Sequence, residues 1–326
     1  MRAVVITKYG DPDVLSIKEV EKPTPKHDEI LVKVRATSLN RADLMQRRGL
    51  YPDPFPGAHD IPGLEFSGTV ESCGDLVTTW KEGDEVMGIV SGGAYAEYLV
   101  VPEMQAIAVP QNIGLANSAA IPEVFITAWD ALVCQANLQA GQWALVHAGA
   151  SGVGTAAIQI CKAIGAYVVV TCSAGKRDAC LALGADLALD YKTADFVEVA
   201  MQATHGKGVN AVLDVIGGEY LNRNVSALAL KGTIVQVGLM GGGSTAFNIG
   251  ALMPKRARLM GTVLRPRPAD EKIAVTQRFI AEMMPLFAVG KLRPVIDRRF
   301  GLDQIVEAHQ LMESNANTGK IVIDVC

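Results

Sequence analysis

The sequence predicts an α/β protein of two domains, one a compact β-rich, barrel-like unit and the other a doubly wound parallel sheet. Three observations predict it. Residues 1 to about 120 read as short alternating strands broken by Gly and Pro. From about residue 123, strand-like runs alternate with helix-like stretches, the pattern of βαβ crossovers. Within that second part, one apolar strand runs through a Gly-rich turn into an amphipathic helix. A length of 326 residues also suits two domains at roughly 100–200 residues each.

Taken in order, Met1-Arg2-Ala3-Val4-Val5-Ile6 is a first strand, since Lys8 interrupts it too early for an export leader. Residues 30–34, 68–71, 83–86 and 96–100 follow as half-buried strands, and helical periodicity is nearly absent among them. In the second part the strands are 144–147, 168–171, 187–189, 209–215 and 234–237. They are apolar on both faces, as a sheet covered by helices requires. The helices between them are 153–164, 178–183, 196–203 and 220–230. After about 285 come a strand at 295–298, a helix near 302–314 and a last strand at 320–325; pattern alone leaves open which domain this tail joins.

Composition excludes several functions. Lys+Arg 30 against Asp+Glu 34 gives a net charge of −4, so no global positive field draws nucleic acid or an anionic membrane. No apolar run approaches the roughly 18 residues of a membrane helix. Cysteines stand at 73, 134, 161, 172, 180 and 326, without a C-x-x-C pair or zinc-knuckle spacing. They read as reduced thiols, several in apolar runs, and a cytoplasmic protein is expected.

The Gly-rich turn is Ala144-Leu145-Val146-His147-Ala148-Gly149-Ala150-Ser151-Gly152-Val153-Gly154. In a dinucleotide fold the first glycine makes the turn, the middle one admits the pyrophosphate and the last allows helix–strand contact. Gly149 and Gly154 hold the outer positions, Ser151 stands where the middle glycine is expected, and Gly152 follows it. The turn reads as a phosphate cradle or, less informatively, as a structural turn. The next strand should end in Asp or Glu for NAD; it ends in Thr171-Cys172-Ser173-Ala174-Gly175-Lys176-Arg177. The cations either hold a 2′-phosphate or begin a helix as a solvated pair. NADPH is expected over NADH.

Pro62-Gly63-Leu64-Glu65-Phe66-Ser67-Gly68, Gly83-Asp84-Glu85-Val86, Asn40-Arg41-Ala42-Asp43, the turn at 147–154 and Gly238-Leu239-Met240-Gly241-Gly242-Gly243 resemble the medium-chain dehydrogenase/reductase superfamily. Within it, the chain is most similar to the NADPH:quinone oxidoreductases and their p53-inducible subgroup. The resemblance spans essentially the whole chain. It implies a GroES-like catalytic domain of residues 1–122 and 287–326, a Rossmann domain of 123–286, and an active cleft between them. It also implies a homodimer through residues 234–237 and 258–264.

Zinc-dependent members of the superfamily carry a Cys in the segment matching 40–43 and a His-Glu pair where this chain has Leu64-Glu65. Neither metal ligand is present, and no Cys falls in 91–101, where the structural-zinc loop would lie. His27, His59, His147, His205 and His309 are scattered, with only His59 near the implied cleft. A metal-free site suits an acceptor that takes hydride readily, such as a quinone.

The resemblance assigns Tyr51 and Asn40 to the substrate mouth and Ser151 to the pyrophosphate or nicotinamide end. Thr127 would approach the carboxamide. Gly149, Ala150, Ser151, Gly152, Val153 and Gly154 would cradle the phosphates. Ser173, Lys176 and Tyr191 would hold the adenosine side, with Gly238, Leu239, Met240 and Gly241 beside the nicotinamide. Some have a structural alternative: Tyr51 as a loop residue, Thr127 as a helix residue, Tyr191 as strand-end packing, and residues 238–243 as a flexible glycine loop. The expected activity is NADPH-dependent quinone reduction by direct hydride transfer, one-electron delivery being the variant left open. A 2-enal or enoyl reductase is the nearest alternative. A binding protein with sensing or RNA association, using Lys255, Arg256, Arg258, Arg265 and Arg267, is the alternative of another class.

Overall fold

Fifteen strands build three sheets in the computed structural model, which describes residues 1–326. The chain divides into two units, Met1–Ile126 with Leu264–Cys326, and Thr127–Val263.

In the first unit, β1 (Arg2–Ile6) pairs antiparallel with β2 (Leu15–Glu19). A seven-stranded sheet follows, made of β3 (Glu29–Ser38), β4 (Glu65–Cys73), β5 (Glu85–Ile89), β6 (Tyr98–Pro102), β7 (Ala106–Ala108), β14 (Ile296–Gly301) and β15 (Lys320–Asp324). Its order is β14-β15-β3-β4-β5-β7, with β6 on the other part of β3. Strand β3 is the hub because its apolar residues are buried almost throughout. Ile30, Val32 and Val34 pack with Phe66, Val70, Leu99, Ile321 and Ile323 in one core. Burying each such side chain contributes about 1.5–3 kcal/mol. This is the β-rich, GroES-like fold.

In the second unit, β8 (Trp143–His147), β9 (Tyr167–Cys172), β10 (Leu187–Asp190), β11 (Val209–Asp214), β12 (Leu228–Gln236) and β13 (Arg258–Gly261) form one sheet of parallel strands. The order is β10-β9-β8-β11-β12-β13. The chain winds outward from β8 to β10, then returns to β11 on the other side. That reversal makes a crevice at the carboxyl ends of β8 and β11, where doubly wound folds take their ligands.

Three features differ from the sequence expectation. A helix, Arg41–Arg47, stands in the β-rich unit; it is too short to show a period, and Asn40 and Asp43 form its capping box. Strand β12 begins at Leu228, so the helix expected over 220–230 stops at Ala227. The second junction falls at 263/264 rather than 286/287, because helix Ala269–Ala288 belongs to the first unit. Its Phe287 ring meets Phe125 at 4.8 Å, Gln277 donates to Met104 O, and Asn112 donates to Phe287 O.

Candidate active site

The turn after β8 is shaped by what its backbone must avoid. A Cβ on Gly149 would lie 2.5 Å from Val170 Cβ, and one on Gly154 would lie 2.3 Å from Ala148 O. Both positions therefore exclude any side chain. Ala148 takes a left-handed φ of 56° to swing the chain into helix Gly152–Ala163. Ser151 caps that helix, its Oγ accepting from Gly154 N at 3.0 Å. The amides of Gly152 and Val153, at the first turn, have no intrahelical acceptor and point along the positive end of the helix. The Ser151 hydroxyl hydrogen is also left to donate, because only its oxygen is used by the cap. A pyrophosphate fits this cradle.

At the next strand end, Ser173 begins a short turn, Ala174–Lys176, before helix Arg177–Ala182. No carboxylate stands on this strand end. The nearest across the sheet is Asp190, register partner of Cys172, and it is turned into its own bend, accepting from Lys192 N and Thr193 Oγ1. Arg177 Nε donates to Ala188 O at 2.8 Å, and Lys176 precedes it at the end of the short turn. Tyr191 is exposed, with its amide bonded to Cys172 O.

A buried relay supports the crevice from behind. His147 Nδ1 lies 3.0 Å from Thr171 Oγ1 and Nε2 lies 2.8 Å from Asn224 Oδ1. Asn224 Nδ2 donates to Asp214 Oδ2, and Asp214 Oδ1 accepts from Ile216 N and Gly217 N. Burial lowers the His147 pKa, so the neutral ring donates through Nε2 and accepts through Nδ1. The relay fixes the Gly217-Gly218 bend, whose φ angles are 69° and 55°. Against that bend lies the loop after β12: Met240 N bonds Val215 O and Gly241 N bonds Ile216 O. A cavity of about 240 Å³ opens there, lined by Gly217, Leu221, Gln236, Leu239, Ser244 and Met260. Gly238 is partly buried, whereas Leu239, Met240 and Gly241 are exposed. Thr127 is buried within helix Pro122–Trp129.

In the β-rich unit the polar centre is Glu65. Its carboxylate accepts from Ser38 Oγ at 2.5 Å, Asn40 Nδ2 at 2.9 Å, Glu123 N at 2.8 Å and Lys320 Nζ at 2.8 Å. Asn40 Oδ1 takes a second hydrogen from Lys320 Nζ at 2.7 Å. Every polar atom of the Asn40 side chain is thus paired inside the unit. The residue positions this network; it is not an open group for a substrate. Glu123 has no ion pair of its own; burial first, then the charge of Glu65, push its carboxyl up to about 8. Tyr51 is partly buried, which raises its phenol, while Arg265 acts to lower it. His59 is exposed.

Comparison with known proteins gives a consistent answer. Residues 26–111 match the alcohol dehydrogenase GroES-like domain, and residues 183–323 match the zinc-binding dehydrogenase family. The quinone oxidoreductase of Lama guanicoe is 30% identical over 329 residues, covering 99% of this chain and 97% of that protein. The synaptic vesicle membrane protein VAT-1 homolog of Homo sapiens is 30% identical over 340 residues, covering 99% of this chain and 86% of that protein. The chain belongs to the medium-chain dehydrogenase/reductase family. Among solved structures, Escherichia coli quinone oxidoreductase complexed with NADPH superposes with a TM-score of 0.88 at 28% identity, covering 100% of both chains. CurK enoyl reductase superposes at 0.87 with 26% identity, covering 99% and 98%.

This medium-chain dehydrogenase/reductase is an NAD(P)-dependent oxidoreductase, and its Gly-rich cradle fits the coenzyme. Zinc, which the matched family's description implies, does not fit its residues. No three His, Cys, Asp or Glu side chains are arranged to ligate a metal, Asn40 and Leu64 offer no ligand, and Glu65 is committed to Lys320. Most of the sequence-predicted residues fall in three places of the parallel-sheet unit, 149–154, 173–176 with Tyr191, and 238–241; Thr127 stands apart from these on helix Pro122–Trp129, and Tyr51 and Asn40 belong to the other unit. Sequence reading missed His147, Asp214 and Asn224 as the support of the crevice. The Asp214-to-Gly218 stretch, an acid before a double glycine at a strand end, was the available signal.

Proposed function

We propose that this enzyme reduces quinones with NADPH. The observation that carries the reading is the closed Glu65–Lys320–Asn40 network at the positions where zinc-dependent relatives hold their metal. A site built this way suits an acceptor that takes hydride without an electrophilic metal, as quinones do. NADPH over NADH is supported by the missing carboxylate at 172–177 and by Lys176.

When bound, NADPH supplies the hydride. The amides of Gly152 and Val153 and the Ser151 hydroxyl hold its pyrophosphate, with Gly149, Ala150 and Gly154 giving the backbone room. Ser173 and Lys176 hold the 2′-phosphate, and Tyr191 flanks the adenine side. Thr127 and the backbone of Gly238, Leu239, Met240 and Gly241 orient the reacting ring. Tyr51 donates a hydrogen bond to the acceptor oxygen. Most of the rate comes from this positioning.

Steady-state kinetics with NADPH and NADH, each against an ortho-quinone and an alkenal, test the reading. Preference for NADPH and faster turnover of the quinone are expected. NADH preference or no quinone turnover would overturn it, and faster alkenal reduction would favour an enoyl reductase, a reading supported by the likeness to CurK.

We further infer a cytoplasmic homodimer. All six cysteines are free and three are buried, which suits a reducing compartment. No helix is long and apolar enough to cross a membrane. Strand β13 is a sheet edge with Leu259 exposed on it and Val263 exposed just after it, a surface that a second copy would cover. Of the basic residues near 255–267, Lys255 Nζ is bonded to Ser226 O and Leu228 O and Arg265 is 4% exposed, whereas Arg256 and Arg258 are exposed.

A further inference from the structure

Arg265 follows the second junction directly, and its guanidinium is buried in the first unit. It makes three hydrogen bonds in three directions: Nε to Ser91 O at 2.5 Å, Nη1 to Tyr51 O at 2.8 Å and Nη2 to Gln46 Oε1 at 2.7 Å. Ser91 Oγ returns a bond to Arg265 O at 3.1 Å, so the two residues are locked to each other. The guanidinium carbon also lies 5.1 Å from the centre of the Tyr51 ring. Gln46 is itself fixed, donating to Asp60 Oδ1 at 2.6 Å. Both ends of the stretch from Tyr51 to Asp60, which contains no helix or strand, are therefore tied to one side chain, directly or through Gln46.

A second cation from the same segment reinforces the hold. Lys272, 5% exposed, bonds Ser91 Oγ, and its ammonium sits 5.4 Å from the centre of the Phe55 ring. Asp53 is the carboxylate nearest Arg265, at 3.9 Å, and it is partly used by Phe55 N. Pro52, Pro54 and Pro56 stiffen the loop but donate no backbone hydrogen bond, so the loop has few bonds of its own. Its order is supplied from outside.

We propose that Arg265 is the positioning residue of Tyr51: its fork fixes the loop so that the phenol presents its hydrogen to the acceptor. This rests on the assignment of Tyr51 made above and adds the residue that acts through it. A lysine could not replace it, because a single ammonium does not span three acceptors in a plane. The cation also lies over the Tyr51 ring, which ties the ring itself to the same side chain.

A double-mutant cycle in kcat/KM for the quinone tests the idea, using Tyr51→Phe, Arg265→Met and the pair. Tyr51→Phe alone is expected to lower kcat/KM about tenfold or more, as loss of a positioned donor does. In the Arg265→Met background the same change should cost no more than about twofold. NADPH affinity by fluorescence titration serves as the folding control and should not move. Alongside, hydrogen exchange over residues 49–60 of the free enzyme should quicken in Arg265→Met and stay as in wild type in Tyr51→Phe. If Arg265→Met does not fold, Arg265→Lys, which loses the fork and keeps the charge, replaces it. Additive costs, or unchanged loop exchange, would overturn the proposal. Absence of quinone turnover in the wild type would instead strike the assignment of substrate, and the exchange arm would still decide whether Arg265 holds the loop.

Discussion

Lys320 Nζ lies 2.8 Å from Glu65 Oε1, with their side chains 3% and 0% exposed. The pair is bound on both sides: Lys320 also donates to Leu39 O and Asn40 Oδ1, while Glu65 accepts from Ser38, Asn40 and Glu123. A buried ion pair of this kind contributes little against an apolar replacement of both members, but breaking it strands a charge.

Lys320→Met should therefore destabilise the β-rich unit by about 3–5 kcal/mol, read as a shift of the urea midpoint. Adding Glu65→Gln to it should recover part of the loss, because the stranded carboxylate is gone.

Ser151→Ala removes the cap of helix Gly152–Ala163 and should cost about 1 kcal/mol. NADPH should also bind more weakly to this variant in a fluorescence titration, since one donor to the pyrophosphate is lost.

Lys176→Ala should weaken NADPH about tenfold and leave NADH unchanged, a difference that charge-assisted contact with a 2′-phosphate requires. Equal loss for both coenzymes would remove Lys176 from the 2′-phosphate site.

Glu123 gives stability a specific pH dependence. Its carboxyl is held up to about 8 in the fold, against an ordinary value of 4.5. The fold thus favours the protonated form, and this contribution is complete below pH 4.5 and lost as pH rises through 8. Glu123→Gln should flatten that decline, gaining on the wild type by up to about 1.4 kcal/mol per pH unit between pH 5 and 8. His309, pushed down to about 3 by burial and by Arg47, acts in the opposite sense by losing stability on acidification below 6.5. It cancels when the two proteins are compared at each pH.

Leu259→Arg should shift a dimer toward monomer in sedimentation, because β13 would then carry another charge on its open edge beside Arg258.

The fold was legible where its causes are local. Gly149, Ser151 and Gly154 lie within six consecutive residues, so turn, cap and close approach can all be read from one short stretch. The buried network was not legible, because its members come from distant segments. His147 meets Asn224 across 77 positions, and Asn40 meets Lys320 across 280. Nothing near Asn40 in sequence announces that its amide is already spent. Helix Ala269–Ala288 escaped for another reason: Lys272 and Thr276 stand in its buried stripe beside Val275, Phe279, Met283 and Phe287, and they blur the apolar period.

Strand β15 stands second from the edge of the seven-stranded sheet, with β14 on one side and β3 on the other. On the ribosome, a nascent chain that has emerged through residue 263 already carries every strand of the parallel sheet. Strand β3, made more than two hundred positions earlier, still waits for Val322 and Ile323 to complete its pairing with Ser38 and Thr37. The parallel-sheet unit is therefore free to fold while synthesis continues, and the β-rich unit closes last.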